Sequence, residues 1–460
     1  MSLIASISGI RGTIGGISGE ALTPPDIVFF SAAYAAWLKR HRPQQRHKVV
    51  VGRDARLSGF MANQLVCGTL IGCGIDVVDA GLASTPTVEM AAVWEEADGG
   101  IVLSASHNPR EWNALKLLNH MGEFLSAQDS AELLAIAERR DFCFAPVDHL
   151  GAYSQKDFSQ QHINAVIQHP LVDVEAIYRG GFKVVLDAVN SVGGIIVPKL
   201  LENLGVACVL HNCEPTGNFA HNPEPLPEHL TDLARWVVLE RADLGIAVDP
   251  DVDRLALVCE DGSMFGEEYT LVAIADYVLG LRKGNVVSNL SSTRALADVA
   301  QQHGCRRYVS AVGEVHVVAK MKEKNAVIGG EGNGGIILPD LHYGRDALIG
   351  IALFLTHLAY QKMSCSQLKQ RYPQYHTIKE RIEIPADFDL KAAFARIKEL
   401  YKGHTINELD GIKIDMEDQK KWLIVRPSNT ESILRLYAEA PELSEVQELI
   451  STLKTNNILG

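Results

Sequence analysis

Three aspartates alternate over five residues, Asp249, Asp251 and Asp253, directly after an apolar segment. Carboxylates this close repel one another unless a cation lies among them, and an all-oxygen ligand set suits Mg²⁺ or Ca²⁺ better than zinc. Apolar segments flank the loop, which disfavours a solvated acidic turn. An EF-hand loop is a poor fit because Arg254 holds the sixth position, where the sharp turn requires glycine. A phosphatase of the dehalogenase type, which also uses alternating aspartates after a strand, stays open on this loop alone.

A serine beside a histidine follows another apolar segment. Ser106 and His107 precede Asn108-Pro109, a pair typical of turns. Such a serine could be a nucleophile or a phosphoryl carrier, although clusters of this composition are mostly plain turns. The Gly-Xaa-Ser-Xaa-Gly elbow of serine hydrolases and the Gly-Lys-Ser/Thr phosphate loop are both absent from the sequence.

Two further segments combine hydrogen-bonding side chains. Segment 329–335 contains too much glycine for a helix or strand interior and lacks the Rossmann spacing. Its Glu331 and Asn333 suit sugar hydroxyls, with a plain tight loop as the competing interpretation. Near the C-terminus, Arg426 precedes hydroxyl and amide donors, a combination that suits a phosphate, although a single such arginine is more often solvated. These donors are Ser428, Asn429 and Thr430.

Repeated units of strand, helix and strand must position these loops. Three units begin with apolar strands near residues 48, 183 and 285, and they end in the loops at 104–109, 249–254 and 329–335. This alternation predicts mostly parallel, doubly wound sheets, whose ligands bind beyond the carboxyl ends of the strands. The loops are therefore expected to share one cleft. The tail predicts a smaller α+β domain, with Ser444 as the N-cap of the last helix.

The composition is that of an ordinary globular protein. The 460 residues are 47% hydrophobic and 22% charged, with a net charge of −13. Since no long basic run and no apolar stretch of about 18 residues occurs, we expect no nucleic-acid partner and no membrane span. The 8 cysteines include no CxxC pair, which favours reduced thiols in a cytoplasmic protein. The expected domains are 1–155, 156–260, 261–372 and 373–460.

Together, these motifs resemble the α-D-phosphohexomutase superfamily over essentially the whole chain. Segments 8–13 and 218–224 are similar to two further segments of the family. The resemblance implies three related doubly wound α/β domains plus a smaller C-terminal α+β domain around one central cleft. In chain order, these domains would carry a phosphoserine loop, a metal loop, a sugar-binding loop and a phosphate-binding loop.

The resemblance also implies a mechanism. Ser106 would carry a phosphoryl group and transfer it to a hexose phosphate. The resulting bisphosphate would turn round and return its other phosphate, and hexose bisphosphate would act as an activator. One Mg²⁺ would be bound by the phosphorylated Ser106, Asp249, Asp251 and Asp253. The catalytic set would be Ser106, His107, Lys116, Arg254 and Arg11; the substrate-binding set would be Glu331, Asn333, Arg426, Ser428, Asn429 and Thr430.

Two alternatives from other classes are disfavoured. A Mg²⁺-dependent sugar phosphatase would not need two phosphate sites, which a substrate that turns round requires. A non-catalytic sugar-phosphate sensor would be expected to lack Ser106 or one of the metal-loop aspartates, and all are present.

Two departures from the family pattern bear on chemistry and substrate. Many bacterial members carry a histidine where this chain has Gly335. Because no histidine of this loop can transfer a proton here, Lys116 becomes the favoured general acid/base. Gly313-Glu314 and the short opening around Arg11 resemble the phosphoglucosamine branch. The expected reaction is therefore glucosamine 6-phosphate to glucosamine 1-phosphate, with a phosphoglucomutase/phosphomannomutase of broad specificity as the alternative. The resemblance allows a monomer or a homodimer.

Overall fold

A computed structural model of the protein describes residues 2–6, 9–385, 388–427 and 433–455. The fold divides into two compact units, Met1–Thr270 with Asn333–Leu368, and Leu271–Gly332 with Lys369–Gly460. Over the described residues, none of the helices combines the length and apolar character that crossing a bilayer requires.

The first α/β region forms a seven-stranded mixed sheet in the order β1-β2-β6-β5-β3-β4-β7. Its strands are β1 (Ile4–Ser6), β2 (Gly9–Thr13), β3 (His47–Arg53), β4 (Ile75–Leu82), β5 (Gly99–Leu103), β6 (Trp112–Leu118) and β7 (Tyr153–Gln155). Its helices are α1 (Pro24–His41), α2 (Gly59–Gly72), α3 (Thr85–Trp94) and α4 (Ala127–Arg139). Val49 and Val51 belong to one hydrophobic cluster and Val50 to another, because helices cover both faces of the sheet.

This sheet is less parallel than the sequence predicts. Strand β3 is parallel to β4 and β5, but β6 returns antiparallel to β5 and pairs antiparallel with β2. The loop between β5 and β6 is shorter than the dozen or more residues of a parallel crossover, so the chain must turn straight back. That turn carries Ser106.

The second α/β region forms a four-stranded sheet in the order β11-β10-β8-β9. Its strands are β8 (Lys183–Asp187), β9 (Ala207–His211), β10 (Leu244–Val248) and β11 (Leu255–Cys259), and its helices are α5 (Ser159–Ile167), α6 (Val174–Gly180), α7 (Gly193–Asn203) and α8 (Thr231–Glu240). Strand β8 is parallel to β9 and β10, whereas β11 is antiparallel to β10. The aspartate loop is the connection between β10 and β11.

The third α/β region places β12 between β13 and β14, parallel to both. Its elements are α9 (Glu267–Leu281), β12 (Asn285–Asn289), α10 (Ala295–Gln302), β13 (Arg307–Ser310), α11 (Glu314–Lys324), β14 (Ala326–Glu331), β15 (Gly335–Ile337), α12 (Ala347–Gln361) and α13 (Cys365–Gln370). The expectation that segment 329–335 lies outside a strand is wrong for its first residues and its last, since β14 continues to Glu331 and β15 begins at Gly335. At Gly329 a Cβ would lie 2.9 Å from the backbone oxygen of Val287 in β12 and 2.4 Å from Met321 Sδ of α11. A larger residue would therefore crowd the neighbouring strand as well as the packed methionine.

The C-terminal region is a five-stranded antiparallel sheet in the order β16-β20-β19-β18-β17. Its elements are β16 (His376–Glu383), α14 (Leu390–Leu400), β17 (Thr405–Asn407), β18 (Ile412–Met416), β19 (Lys421–Pro427), β20 (Ile433–Ala440) and α15 (Leu443–Thr455). Residues of α14 and α15 share one hydrophobic cluster with the strands. Three α/β regions and this smaller α+β region confirm the expected fold class, whereas the boundaries near 155, 260 and 372 stay predictions.

The predicted N-cap of the last helix is wrong. Helix α15 begins at Leu443, so Ser444 lies inside its first turn. Glu442 O accepts from the backbone N–H groups of Glu445 and Val446, and the Glu445 carboxylate accepts from Glu442 N at 3.3 Å. The Glu445 side chain thus bonds back to the backbone N–H of Glu442, three residues earlier, as in one half of a capping box, which favours Glu442 over Ser444 as the N-cap.

Candidate active site

Ser106 lies on the turn between β5 and β6 with a left-handed backbone, φ 48°. A non-glycine residue in this region costs of order 1 kcal/mol or more, so its surroundings must hold it there. Ser106 N donates to Ser104 Oγ at 2.9 Å, and Ser104 Oγ donates to Asp54 Oδ2 at 2.6 Å. These bonds fix the turn from the carboxyl end of β3.

The buried guanidinium of Arg56 holds the rest of the turn. Its N–H groups make five hydrogen bonds: Nε to Asp54 Oδ2 (3.0 Å), Nη1 to the carbonyl oxygens of Pro109 (2.7 Å) and Trp112 (2.9 Å), and Nη2 to those of Ser106 (2.5 Å) and Asn108 (2.7 Å). All donors of the side chain are therefore used. Sequence reasoning missed Asp54 and Arg56, although charged residues directly after the apolar strand β3 were a usable signal.

Replacing Arg56 by alanine is expected to lower the free energy of unfolding by about 3–5 kcal/mol, because it leaves the Asp54 carboxylate buried without its cation. Urea denaturation measures this loss. The matched control is Arg46→Ala, which breaks the exposed pair with Asp76 (2.7 Å) and should cost less than about 1 kcal/mol. Equal losses in the two variants would contradict the role given to Arg56.

The aspartate loop brings three buried carboxylates together. One oxygen from each of Asp249, Asp251 and Asp253 lies within 4.8 Å of the others. Val252 between them has φ 62°, which is unusual for a β-branched residue. Two other segments hold the loop, since Asp251 O accepts from Thr85 N at 2.9 Å and Val252 O accepts from Ala347 N at 3.2 Å.

The serine turn and the aspartate loop meet directly. Ser106 Oγ donates to Asp249 Oδ2 at 2.6 Å, and Asp249 Oδ1 accepts from the backbone N–H groups of Asp253 and Arg254, both at 3.1 Å. From β6, Lys116 Nζ donates to Asp251 Oδ2 at 2.6 Å and to Asp253 Oδ2 at 3.3 Å. The structure thus places together the predicted Ser106, Lys116 and aspartates.

The carboxylates fit a divalent cation. Asp251 Oδ1 and Asp253 Oδ1 are buried and have no hydrogen-bond partner among the described residues. Buried charged oxygens without a partner are costly, and a hard cation that takes oxygen ligands would satisfy both. Burial, together with the charges of Asp253 and Asp251, raises the pKa of Asp249 well above its usual range.

Lys116 and Asp251 shift each other's pKa values. Burial alone would lower the pKa of Lys116, but Asp251 and Asp253 raise it above its usual range. Conversely, burial alone would raise the pKa of Asp251, but Lys116 and Thr85, whose hydroxyl donates to Asp251 Oδ2, lower it. Lys116 is therefore a charged ammonium in this environment.

Further basic side chains lie near the serine turn within the same unit. Burial, followed by the charges of Arg254 and Arg345, lowers the pKa of Arg11. His107 Nδ1 lies 3.4 Å from Ser106 Oγ, and burial followed by Arg254 lowers the pKa of this imidazole well below its usual range. Arg254 Nη1 lies 3.7 Å from the Glu224 carboxylate. Such clustered positive charge favours an anionic ligand.

Sequence reasoning missed two residues that contact the metal loop. Arg345 Nη2 donates to Asp253 Oδ2 at 2.7 Å, and the Thr85 hydroxyl donates to Asp251 Oδ2. Each reaches its aspartate from a segment far away in the chain, and neither lies in a recognisable motif. One signal in the sequence was that both residues lie at helix starts. Thr85 begins α3, and Arg345 precedes Asp346, which caps α12.

The remaining predicted residues are placed differently. Glu331 Oε1 accepts from Asn289 Nδ2 and Gly313 N, both at 2.9 Å, so this oxygen already has protein partners. Asn333 Oδ1 accepts from Gly335 N at 3.2 Å. Arg426 Nη1 lies 3.6 Å from Asp410 Oδ2, and Arg426 Nε is buried without a hydrogen-bond partner among the described residues. Ser428, Asn429 and Thr430 lie outside the described residues, and Glu331 and Arg426 belong to the second compact unit.

A buried charged network lies beside the start of α12. Asp346 Oδ2 contacts His162 Nε2 at 2.9 Å and His342 Nε2 at 3.3 Å, while His342 Nδ1 lies 3.4 Å from Glu89 Oε2. Asp346 Oδ1 also accepts from Leu348 N at 2.8 Å, which caps α12. This network fixes the backbone next to Arg345.

The network predicts a pH-dependent stability. Burial would lower the pKa of His342, but Asp346 and Glu89 raise it to about 10 from the ordinary 6.5. A raised folded-state pKa gives a stabilisation that is complete below the unfolded-state pKa and is lost as pH rises towards 10. We expect the difference in free energy of unfolding between wild type and His342→Gln to shrink from pH 6.5 to 10. Denaturation at each pH checks this, and the exposed His149→Gln should give a difference without that trend.

A serine hydroxyl on a carboxylate cluster that could hold a cation, with basic side chains nearby, suits phosphoryl transfer, because this chemistry depends on positioning and on neutralising the charge of the transferring group. Four segments match the domains described as phosphoglucomutase/phosphomannomutase: α/β/α domain I (residues 4–143), domain II (160–262), domain III (266–375) and the C-terminal domain (383–454). The chain belongs to this family, within the α-D-phosphohexomutase superfamily.

Individual relatives are similar to this chain over nearly its whole length. A phosphoglucomutase/phosphomannomutase of Thermococcus kodakarensis is 36% identical over 95% of this chain and 96% of its own. A probable phosphoglucosamine mutase of Methanopyrus kandleri is 31% identical over 96% and 95%. A crystal structure of a phosphoglucomutase/phosphomannomutase family protein from Burkholderia thailandensis matches with a TM-score of 0.85 and 25% identity over 98% and 96%. The protein is accordingly an enzyme, a phosphohexomutase that moves a phosphoryl group within a hexose phosphate.

Proposed function

We propose that the mutase reaction of this chain runs through a phosphoserine at Ser106 and interconverts glucosamine 6-phosphate and glucosamine 1-phosphate. The observation that carries the phosphoserine is the contact of Ser106 Oγ with Asp249 Oδ2 at 2.6 Å, within the buried aspartate cluster. The small-molecule partner is then a sugar phosphate, with hexose bisphosphate as activator.

The proposed step exchanges one phosphate ester for another. A sugar hydroxyl attacks the phosphorus of phosphoserine, a bond from the sugar oxygen to phosphorus forms, and the bond to Ser106 Oγ breaks with its electron pair staying on Oγ. The sugar hydroxyl loses its proton and Oγ gains one. His107, 3.4 Å from Ser106 Oγ, and Lys116, which contacts two of the aspartates, are the proposed groups for proton transfer. The reverse step on the turned bisphosphate restores the phosphoserine.

The proposed metal is one Mg²⁺, held by Asp249, Asp251, Asp253 and an oxygen of phosphorylated Ser106. When bound, it supplies positive charge to the transferring group. Support comes from Asp251 Oδ1 and Asp253 Oδ1, which are buried and have no hydrogen-bond partner among the described residues. In addition, a related N-acetylphosphoglucosamine mutase of Aspergillus fumigatus is described in complex with magnesium. Arg11 and Arg254 are proposed to bind the phosphate carried by Ser106.

We also propose a second phosphate site at Arg426, together with Ser428, Asn429 and Thr430. Its support is the buried Arg426 Nε, which has no hydrogen-bond partner among the described residues. Glu331 and Asn333 are proposed to bind sugar hydroxyls. The location proposed is the cytoplasm, which agrees with eight cysteines that form no disulfide in the described part of the chain.

The choice of glucosamine rests on the Gly313-Glu314 pair and on relatives named probable phosphoglucosamine mutase. The Thermococcus kodakarensis relative favours the alternative, a phosphoglucomutase/phosphomannomutase of broad specificity. The deciding experiment compares kcat/KM for glucosamine 6-phosphate, glucose 1-phosphate and mannose 1-phosphate, with the matching hexose bisphosphate added. We expect the highest value for glucosamine 6-phosphate, and a preference for either neutral sugar would establish the alternative.

A further inference from the structure

The aspartates of the metal loop do not offer both oxygens equally. In Asp251 and Asp253, donors from other segments occupy Oδ2, while Oδ1 is buried and has no hydrogen-bond partner among the described residues. In each of these carboxylates, Oδ1 is therefore available to a cation, whereas Oδ2 already accepts hydrogen bonds from the protein.

Arg345 is the main donor on the occupied oxygen of Asp253. Its Nη2 lies 2.7 Å from Asp253 Oδ2, closer than Lys116 Nζ at 3.3 Å, and its side chain is only 10% exposed. The backbone beside it is fixed, because Asp346 N donates to Ile336 O at 2.8 Å and the Asp346 carboxylate contacts His162. The guanidinium is thus held on Asp253 by packing and by its neighbours in the chain.

The absence of a side chain at Gly335 leaves space for the Arg345 side chain. A Cβ at position 335 would lie 2.3 Å from Arg345 Cδ and 3.0 Å from its Cγ, so any larger residue must displace this side chain. The histidine of the family pattern at this position and Arg345 in its present place exclude each other. Gly335 therefore permits the cationic contact of Arg345 on a proposed metal ligand.

We propose that Arg345 makes Asp253 a one-oxygen ligand and thereby favours Mg²⁺ over Ca²⁺ in the active site. This inference rests on the metal site of the proposed function. Mg²⁺ requires a near-octahedral set of single oxygens, whereas Ca²⁺ takes six to eight and readily accepts a carboxylate through both oxygens. Arg345 acts through Asp253 and is a positioning residue that determines metal specificity.

The test measures Mg²⁺ and Ca²⁺ binding by calorimetry on the full, metal-free protein, with the phosphate content of Ser106 matched between samples by intact mass. In Arg345→Gln, Asp253 Oδ2 loses its closest charged donor and keeps Lys116 Nζ at 3.3 Å. We expect the ratio of the two Kd values to shift towards Ca²⁺ by roughly tenfold. Arg345→Lys keeps a donor and should keep most of the Mg²⁺ preference. Gly335→Ala displaces the guanidinium without removing it and should shift the ratio in the same direction.

The matched control is Arg46→Gln, which makes the same chemical change in an exposed arginine–aspartate pair and should leave the ratio unchanged. An unchanged ratio in both Arg345→Gln and Gly335→Ala would overturn the inference and leave the metal site standing. Wild-type protein that binds neither ion would overturn the metal site itself, and the inference with it.

Discussion

Replacing Ser106 by alanine is expected to abolish mutase turnover, with kcat falling by about 10⁴-fold or more, the scale of losing a covalent nucleophile. Alanine keeps the size of the turn but removes the only atom of residue 106 that can carry a phosphoryl group. The Arg56 hydrogen bonds to the backbone of the turn do not involve the hydroxyl, so the fold should persist. Steady-state rates with added hexose bisphosphate measure the loss, and circular dichroism checks the fold.

The matched control changes the serine two residues earlier. Ser104→Ala removes the bonds to Asp54 and to Ser106 N, so we expect a slower enzyme that still carries phosphate on Ser106. Mutase activity near the wild-type level in the Ser106→Ala variant would exclude the phosphoserine mechanism.

Replacing Asp251 by asparagine is expected to lower kcat by roughly 10³-fold and to remove most of its dependence on Mg²⁺. The change keeps the shape of the side chain but removes one charge from the cluster and the closest carboxylate partner of Lys116, now 2.6 Å away. The proposed metal would lose a charged ligand, and Lys116 would lose a charged partner. Rates over a series of Mg²⁺ concentrations measure the effect.

Asp76→Asn is the control for Asp251→Asn. It makes the same substitution in a carboxylate paired with the exposed Arg46, so the rate and its Mg²⁺ dependence should stay as in wild type. A variant Asp251→Asn with wild-type rates would mean that the aspartate loop does not bind the catalytic cation.

The loops of the first unit could be predicted because their signal is local. Asp249, Asp251, Asp253 and Ser106 directly follow apolar strands, and the ends of such strands are where a doubly wound sheet presents its ligand-binding groups. Lys116 came only from the family resemblance, which implies a general acid/base; its contacts with Asp251 and Asp253 were not predicted.

What escaped prediction depends on packing between distant segments. Arg345 and Thr85 reach the metal loop from helix starts whose sequence carries no motif, and Arg56 acts on carbonyl groups, which any sequence provides. Gly329 reads as a loop residue but lies in a strand, where a Cβ would crowd the Val287 carbonyl of β12 and the Met321 side chain. The distances between such segments cannot be read from a single sequence.

Phosphate transfer from Ser106 is the central claim, and mass analysis of the protein tests it most directly. Wild-type protein is treated with hexose bisphosphate, freed of excess, and then given one equivalent of glucosamine 6-phosphate. With isotope-labelled phosphate in the hexose bisphosphate, we predict one labelled phosphate group on the peptide that contains Ser106 before the sugar is added. Afterwards we predict that the label moves to the sugar phosphate, while unlabelled phosphate from the sugar restores the phosphoserine. An active preparation in which Ser106 never carries phosphate would contradict the account.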